Sequence, residues 1–599
     1  MKKLISALLC MSLLLTCASA LAGQTEGNGP VTHRLESRQA ALYLTGAGKL
    51  EATVPYYLAD GVGDMPYMDL KDVLGIYDAL ARLKEAENII TGEYDRENQV
   101  YTFTNKFNKS TLSIGMDDGV VLYDGFDSLM AESKTATYLD VLYHPGVNQA
   151  NQPELFQRML DPLMTRPGNL RVIRLGDYGI PCFEQDGKCL LPLHTALDLT
   201  MCMPSSGLIN LFNGEAIFLI TGISEFYEAA ENADPLEALT SASALNEMGK
   251  AYYNAPKKER SKIFANYGLS ELCMELDHFY GLKDAHNVTS FMDIVLATDY
   301  YDRLTSKDAR TADEALQDFI NYYLDDLHSA YKFNSWLTGA DTELKKGGAG
   351  FSTLMDAQNT GKYGAARLQA YPDGWIRYEE VGDTAYVTFD TFGYNPETDY
   401  YALDLNDTES ITDTVSLIMY AHSRITRENS PIKRVVLDMS NNIGGQADAA
   451  IFTIGWFLGT ATVTNVNTFS GAQATSQYAV DANRDRKFDE NDYLAGRYEL
   501  FCLTSPVSFS CGNLVPWVFK GSGMVTLLGA ATGGGSCIVK AMSTAWGTNF
   551  QMSGYNRLAF VKNGSYYDVD RGVEPDVTIT KTKNFYDRQA LNKILDSCY

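Results

Sequence analysis

After about Val381 the chain alternates short β-rich runs with helix-like stretches, and this alternation restricts its fold more than any other feature. The runs TAYVTFDTF, IKRVVLDMS and MVTLLGA have the composition of strands, and the stretches ITDTVSLIMYAHSRI and ADAAIFTIGWFL have helical periodicity. Strands that alternate with helices are typical of an α/β layer. We therefore predict an α/β core over residues 381–599.

The preceding part of the chain is organised differently. A chain of 599 residues is too long for a single hydrophobic core. Residues 23–215 contain short strand-like runs, and two stretches there share the order strand, Asp-Gly turn, helix start, so we predict one or two small, duplicated α+β modules. Residues 216–380 have helical spacing of apolar residues and lead into the core. The predicted fold class is α+β and multidomain.

The N-terminus has the pattern of a secretory signal peptide over residues 1–22. Two lysines precede a short apolar stretch, and an Ala-Leu-Ala sequence stands before Gly23, as in a signal cleavage site. Cys17 leaves a lipoprotein anchor as the less favoured alternative, because a threonine precedes it. No later segment offers the roughly 18 apolar residues of a membrane span. We expect a secreted or cell-surface protein.

Charge and cysteine content limit the partners. The formal net charge of −26 disfavours nucleic acid and anionic membranes. The cysteines form no C-x-x-C pair that would indicate zinc, and Cys182 and Cys189 flank an Asp-Gly turn that allows a local disulfide.

Glycines follow one of the predicted core strands. VVLDMSNNIGGQADAA passes from a buried strand through Asn442 and the pair Gly444-Gly445 into a helix. Glycines allow a tight turn that directs backbone N–H groups into a cleft. An ordinary strand-to-helix turn explains the same residues.

Small hydroxyl residues stand where another strand gives way to a helix. SPVSFSCGNLVPW, residues 505–517, contains Ser505, Ser508 and Ser510. A turn with a helix N-cap would use such residues. So would a nucleophile at a helix N-terminus, where backbone N–H groups meet a developing negative charge. The local pattern leaves both open.

Together with LDDLHSAY before the core and RGVEPDVTI near the end, these motifs resemble the C-terminal-processing and tricorn-core serine peptidases. The resemblance covers roughly residues 245–599. It implies a ClpP/crotonase-like ββα catalytic core and a peptide or protein substrate. About 50 residues separate His328 from the core strand, too few for the PDZ module frequent in this family.

The resemblance assigns Ser510 as the nucleophile, with Ser508 as the competing serine. The family's Ser-x-x-Glu turn carries Asn513 in place of the glutamate. The N–H of Cys511 and that of Gly444 or Gly445 would form the oxyanion hole.

The general base differs from that of the processing-peptidase branch. The lysine of that branch falls on Gly535, so the serine–lysine dyad is absent. The tricorn-like branch uses a histidine, and His328 stands at that position. The acid that orients it would be Asp570 or Asp568, two residues apart and so on one face of a strand, with a slight preference for Asp570.

A calcium loop is predicted within DANRDRKFDEND. The residues at loop positions 1, 3, 5, 7, 9 and 12 are Asp481, Asn483, Asp485, Lys487 (by its carbonyl), Asp489 and Asp492. Arg486 stands where a tight-turn glycine is expected, and Asp492 is shorter than the usual glutamate. An acidic surface hairpin is the alternative. Catalysis itself would need no cofactor.

These features predict an exported serine endopeptidase. The alternative is a peptidase-like peptide-binding protein that has lost the chemistry, as the missing lysine and glutamate suggest. Self-association of the chain stays open.

Overall fold

The computed structural model describes residues 33–598 apart from 132–138, 144–164, 206, 223–225, 227–241, 325, 345–350 and 564. The predicted signal peptide lies outside the described residues. The strands, β1 to β26 in chain order, are Leu35–Leu44, Gly48–Ala59, Pro66–Asp69, Ile90–Asp95, Val100–Asn105, Thr111–Gly115, Val120–Asp124, Leu142–Tyr143, Thr165–Arg166, Arg171–Arg174, Phe183–Gln185, Lys188–Pro192, Ile209–Phe212, Ala216–Ile220, Ala330–Phe333, Tyr378–Val381, Thr384–Thr388, Arg434–Asp438, Ala461–Asn467, Gln473–Val480, Glu499–Thr504, Val525–Gly529, Cys537–Ser543, Asn549–Lys562, Ser565–Asp568 and Val577–Thr578.

The α-helices of the described residues, α1 to α14, are Leu70–Leu83, Leu193–Leu197, Glu247–Tyr253, Lys262–Phe279, Phe291–Leu296, Tyr300–Leu304, Ala309–Asp318, Phe351–Asn359, Lys362–Ala370, Thr414–Ile425, Ala447–Leu458, Cys511–Ser522, Lys583–Tyr586 and Arg588–Leu595. Two π-helical segments, Asp198–Cys202 and Phe319–Leu324, extend α2 and α7. None of these helices is both long and apolar enough to cross a membrane.

The two similar N-terminal stretches lie in one sheet. This sheet has seven strands in the order β11-β12-β3-β2-β1-β14-β13. β3 and β12 pair antiparallel, with Leu191 opposite Met68, and each leads directly into a helix, α1 or α2. A separate five-stranded antiparallel sheet, β10-β7-β6-β5-β4, follows.

The cysteines beside the Asp-Gly turn are free thiols, so the local disulfide is not formed. The register of β11 and β12 explains this, because Glu184 stands opposite Cys189. Cys182 is therefore two residues out of register with its expected partner. Its sulfur instead donates to the carbonyl of Gly115.

The C-terminal part contains the predicted α/β core. Its six-stranded sheet has the order β16-β17-β18-β21-β22-β26. Its last five strands, β17, β18, β21, β22 and β26, run parallel to one another. Every residue of β17 is buried, as expected when helices cover both faces of a parallel sheet. The carboxyl ends of β18, β21 and β22 lie at one edge, where ligands bind in open α/β sheets.

A third arrangement joins the helical region to this core. The long strand β24 pairs with β15, β19, β23 and β25 in an eight-stranded sheet that also includes β20, β8 and β9. Ala330 of β15 stands opposite Gln551 of β24. This pairing places the residues just before β15, including His328, beside the core. Between β15 and β16 the described residues contain the helices α8 and α9 and no strand, which leaves no PDZ module there.

Candidate active site

Ser510 occupies a strained turn between β21 and α12. Its backbone has φ 57° and ψ −123°, a conformation that residues other than glycine rarely adopt. Two hydrogen bonds hold the turn: Ser510 N–H donates to Gly534 O at 2.9 Å, and Phe509 N–H donates to Asn442 O at 3.0 Å. The Ser510 hydroxyl is half-buried and makes no hydrogen bond with another described residue. A sharp strand-to-helix turn of this kind presents a nucleophile to a cleft.

The other two serines of the motif hold the neighbouring loop. The Ser505 hydroxyl donates to Ser440 O at 2.5 Å, and the Ser508 hydroxyl donates to Met439 O at 2.7 Å. Both side chains are fully buried. Their hydroxyl protons are committed to carbonyls, so neither serine is placed as a nucleophile.

Two backbone N–H groups lie free beside Ser510. A Cβ on Gly444 would stand 2.7 Å from Ser510 Cβ and 3.2 Å from Cys511 N, so the glycine loop touches the turn. The N–H of Gly444 donates to Asn442 Oδ1 at 2.9 Å. Those of Gly445 and Cys511 make no hydrogen bond with another described residue. Gly445, of the two glycines predicted, therefore has the available donor.

His328 is buried next to the turn that carries Ser510. Its ring packs on Phe509, with centroids 4.6 Å apart, and is 4% exposed. The backbone is fixed at both sides, since its N–H donates to Asp326 Oδ1 at 2.8 Å and its carbonyl accepts from Gln551 Nε2 at 2.7 Å. Nδ1 lies 3.4 Å from Ser553 Oγ, whereas Nε2 has no hydrogen-bond partner among the described residues.

Hydrogen bonding around Asp326 determines the tautomer of this histidine. Ser553 Oγ donates to Asp326 Oδ1 at 2.9 Å, so its single proton is used and it accepts from His328 Nδ1–H. The lone pair then resides on Nε2. The hydroxyls of Ser329 and Tyr280 donate to Asp326 Oδ2 at 2.6 and 3.2 Å. The aspartate is thereby locked in place and holds the imidazole through Ser553.

The environment keeps the imidazole neutral. Burial lowers the pKa of His328, and the negative charges of Asp326 and Asp570 partly oppose this effect. A neutral imidazole with a free Nε2 lone pair is the form that a general base requires.

The two acids predicted to orient His328 bond elsewhere. Asp568 forms a bidentate ion pair with Arg557, at 2.7 and 2.8 Å, and Asp570 Oδ1 accepts from the N–H and hydroxyl of Ser536, both at 3.1 Å. Neither carboxylate has a hydrogen bond to His328 in the described residues. Asp570 acts on the histidine through its charge, and the hydrogen-bonded acid is Asp326.

Asn513 fills the place of the family glutamate as a structural residue. Its amide donates to Val569 O at 2.6 Å, and its oxygen accepts from the Thr532 hydroxyl at 2.6 Å. The side chain is completely buried. It ties the helix that follows Ser510 to two neighbouring loops.

Other side chains fill the space beside Gly535, which stands at the position of the family lysine. Gly535 has φ +87°, and a Cβ there would lie 2.6 Å from the Phe509 ring and 3.1 Å from His328 Cε1. The imidazole thus takes the space that a lysine would need. Lys540 does not replace it, because its ammonium group is buried and donates to Cys202 O at 2.5 Å.

We expect Gly535→Ala to reduce acylation of Ser510 by a serine-reactive probe. The added Cβ would push Phe509 towards His328, and the positive φ would cost about 1–3 kcal/mol. The control is Gly496→Ala, because Gly496 has φ +77° with nothing within 4 Å of an added Cβ. Equal labelling rates in the two variants would show that the contact is unimportant.

The predicted calcium loop closes on itself through backbone N–H groups. The buried Asp481 accepts from Arg486 N–H at 2.7 Å, and the buried Asp492 accepts from Asp489 N–H at 2.9 Å. The guanidinium of Arg486, at the expected glycine position, lies 3.9 Å from the centre of the Tyr401 ring. Among the described residues, no three acids of this loop place ligand atoms within 4.8 Å of one another. Calcium binding stays a prediction.

The core resembles a known family of proteins. Residues 383–579 match the model of peptidase family S41, and no curated protein matches the chain. The photosystem II D1 C-terminal processing protease is 18% identical, with 35% of this chain and 46% of that chain covered and a TM-score of 0.26. A lipoprotein from Streptococcus agalactiae is 15% identical, with 57% of this chain and 99% of that chain covered and a TM-score of 0.34. Mature CPAF is 12% identical, with 56% of this chain and 96% of that chain covered and a TM-score of 0.35.

Residues 383–579 are therefore similar to peptidase family S41, a family of serine peptidases. The resemblance inferred from the motifs is confirmed. The chain spans less than half of the processing protease.

Two residues of the candidate site, Asp326 and Ser553, were not predicted from the sequence. Asp326 stands in the LDDLHSAY motif, two residues before His328, and this spacing was a usable signal. Ser553 lies more than 200 residues downstream, and no local pattern marks it. Only the pairing of β15 with β24 brings it to the histidine.

Proposed function

We propose that this protein is an exported serine endopeptidase in which Ser510 attacks the scissile carbonyl and His328 serves as base and acid. One observation carries the proposal. The half-buried serine hydroxyl stands on a strained turn directly after Phe509, and a buried imidazole, whose Nε2 has no hydrogen-bond partner among the described residues, packs on the ring of Phe509. Neither the Ser510 hydroxyl nor Nε2 of His328 makes a hydrogen bond with another described residue. The resemblance to this family of serine peptidases implies a ClpP/crotonase-like core.

The proton path follows from the tautomer. Nε2 of His328 accepts the Ser510 proton as Oγ bonds to the substrate carbonyl carbon, and the imidazolium then donates that proton to the leaving amine. Asp326 stabilises the imidazolium through Ser553. The N–H groups of Cys511 and Gly445 would receive the negative oxygen of the tetrahedral intermediate. Water, activated by the same imidazole, releases the acyl group.

A serine-reactive fluorophosphonate tests the proposal directly. We expect the folded protein to be labelled once per chain, with the adduct on the peptide that contains Ser510. The competing function is a peptide-binding protein without catalysis, which the loss of the family glutamate at Asn513 would favour. A folded chain that binds peptides and stays unlabelled would establish that alternative.

The rate of this labelling should depend on pH through His328. Protonation of Nε2 removes the base, so the rate falls as the pH drops through the pKa of the imidazole. Burial lowers that pKa, and we expect the acidic limb below about 6.5, the ordinary value for histidine. Asp570→Asn removes a charge that raises the pKa, and the limb should move to still lower pH.

The matched control is Asp568→Asn. Its carboxylate is paired with Arg557, so the limb should stay in place. A limb that moves equally in both variants would contradict the assignment of the titration to His328 and its neighbour.

We also propose that the loop from Asp481 to Asp492 binds calcium. An ion that binds only the folded state stabilises it by about 2.7 kcal/mol at a hundredfold excess over the dissociation constant. Burial raises the pKa of Asp492 to about 7, so calcium should bind more weakly as the pH falls below neutrality. We expect millimolar calcium to raise the melting temperature of the wild type relative to chelator.

Two variants test the ligand set. Asp481→Asn should remove the response to calcium, because it removes a buried ligand oxygen. Glu490→Gln, in the same loop but exposed and at a position that supplies no ligand, should retain it. A melting temperature that is equal in calcium and in chelator would reduce the loop to an acidic hairpin.

A further inference from the structure

A second group of ionisable side chains lies outside the peptidase segment. His194 and Asp198 are four residues apart on α2 and its π-helical extension, and Glu271 and Glu275 are four residues apart on α4. The two pairs face each other, and one ligand atom from each residue lies within 4.8 Å of all the others. All four residues are at most 3% exposed.

Hydrogen bonds fix the orientation of the histidine. Ser543 Oγ donates to Asn210 O at 2.6 Å, so towards His194 Nε2, 3.3 Å away, it accepts. The Nδ1 atom then faces Asp198 Oδ2 at 2.7 Å and Glu271 Oε1 at 2.9 Å. Two carboxylate oxygens around one ring nitrogen require a positive centre between them, either a proton or a metal ion.

One proton does not satisfy the group. Both carboxylate oxygens of Glu275 and Oε2 of Glu271 are buried without a hydrogen-bond partner among the described residues. An unpaired buried carboxylate is strongly destabilising.

The charges around the group match a divalent ion. Lys540 is a nearby buried cation, and its ammonium group donates to the carbonyls of Cys202 and Ser205 rather than to the acids. Three carboxylates, one ammonium group and one divalent cation are together neutral. Without the divalent ion, the buried group carries excess negative charge or must take up protons.

We propose that His194, Asp198, Glu271 and Glu275 bind a divalent transition-metal ion. One imidazole nitrogen with three carboxylates suits Mn²⁺, Fe²⁺ or Zn²⁺, whereas calcium takes oxygen ligands only. Outer hydrogen bonds support the ligands, as in known metal sites.

These outer bonds come from four elements, α2, α4, β13 and β23. Asn210 Nδ2 donates to Asp198 Oδ1 at 2.7 Å. The hydroxyls of Thr195 and Tyr267 donate to Glu271 Oε1 at 3.1 and 3.2 Å. The Nε2–H of His194 donates to the β23 residue Ser543. The ion therefore joins α2, α4 and the peptidase segment, and its role is structural.

Metal content of the full chain tests the proposal. The purified protein is stripped with chelator and incubated with Mn²⁺, Fe²⁺ under anaerobic conditions, or Zn²⁺, each with excess calcium. After gel filtration, we expect one transition-metal ion per chain by elemental analysis and a higher melting temperature with that ion. Chains that retain no transition metal would overturn the proposal.

Glu275→Gln keeps the test independent of folding. The amide removes an unpartnered buried charge, so the metal-free variant should melt at or above the temperature of the metal-free wild type. Its metal affinity should fall by at least about tenfold, and added metal should no longer raise its melting temperature. Glu259→Gln, at an exposed residue before α4, and Asp481→Asn should both bind as the wild type does. Unchanged affinity in Glu275→Gln would contradict the assigned ligands.

Discussion

Ser510→Ala should abolish both peptide hydrolysis and fluorophosphonate labelling while leaving the melting temperature nearly unchanged. The hydroxyl makes no hydrogen bond with another described residue, so its removal costs the fold little. Loss of a serine nucleophile lowers kcat by a factor on the order of 10⁴–10⁶ in other serine hydrolases. A steady-state assay and mass spectrometry of the labelled protein measure the two effects. The strained φ of 57° at this position should be unchanged, because alanine keeps the backbone and the Cβ atom of serine.

Ser508→Ala is the matched control with the opposite expectation. Its hydroxyl is buried and donates to Met439 O, so its removal leaves a buried carbonyl without that donor, at about 1–3 kcal/mol. We expect a lower melting temperature and retained labelling. Labelling that survives in Ser510→Ala and disappears in Ser508→Ala would show that the nucleophile was assigned to the wrong serine.

His328→Gln should lower the acylation rate by a comparable factor, on the order of 10⁴–10⁶. Glutamine can fill much of the space beside Phe509 but cannot accept the Ser510 proton at neutral pH. Because serine and histidine act as one unit, the double variant should lose no more activity than either single variant. Pre-steady-state labelling rates give all three values.

His278→Gln is the control for this substitution. His278 is half-buried, and burial lowers its pKa to about 4, but it packs on Phe469 and Tyr178 rather than on Phe509. We expect wild-type labelling. Equal losses in the two histidine variants would mean that the effect reports general destabilisation rather than a missing base.

Local patterns in the sequence determined the elements of the core. The run IKRVVLDMS became the buried strand β18, Arg434–Asp438, and ADAAIFTIGWFL became the helix α11. Both follow from the spacing of apolar residues, which is a property of consecutive positions. The order of the motifs likewise determined the family, because it depends on the chain alone.

Tertiary structure decided which groups meet. The acid hydrogen-bonded through Ser553 is Asp326 rather than Asp570, since β15 pairs with β24 and carries its loop to that serine. Gly445 rather than Gly444 offers a free N–H because Asn442 folds back on the loop. The sequence narrowed the glycine to two neighbouring residues but did not indicate Asp326, because a hydrogen-bond partner distant in the chain leaves no trace in local periodicity.

The buried group of four ionisable side chains is the clearest case of this division. The sequence places His194 and Asp198 four residues apart, and Glu271 and Glu275 four apart, so each pair lies on one helical face. Neither pair alone distinguishes a metal ligand set from an ordinary polar face. Only the packing of α2 against α4 makes the four side chains converge and removes them from water. Periodicity along a helix fixes which side chains share a face, whereas burial and charge depend on what the folded chain places opposite that face.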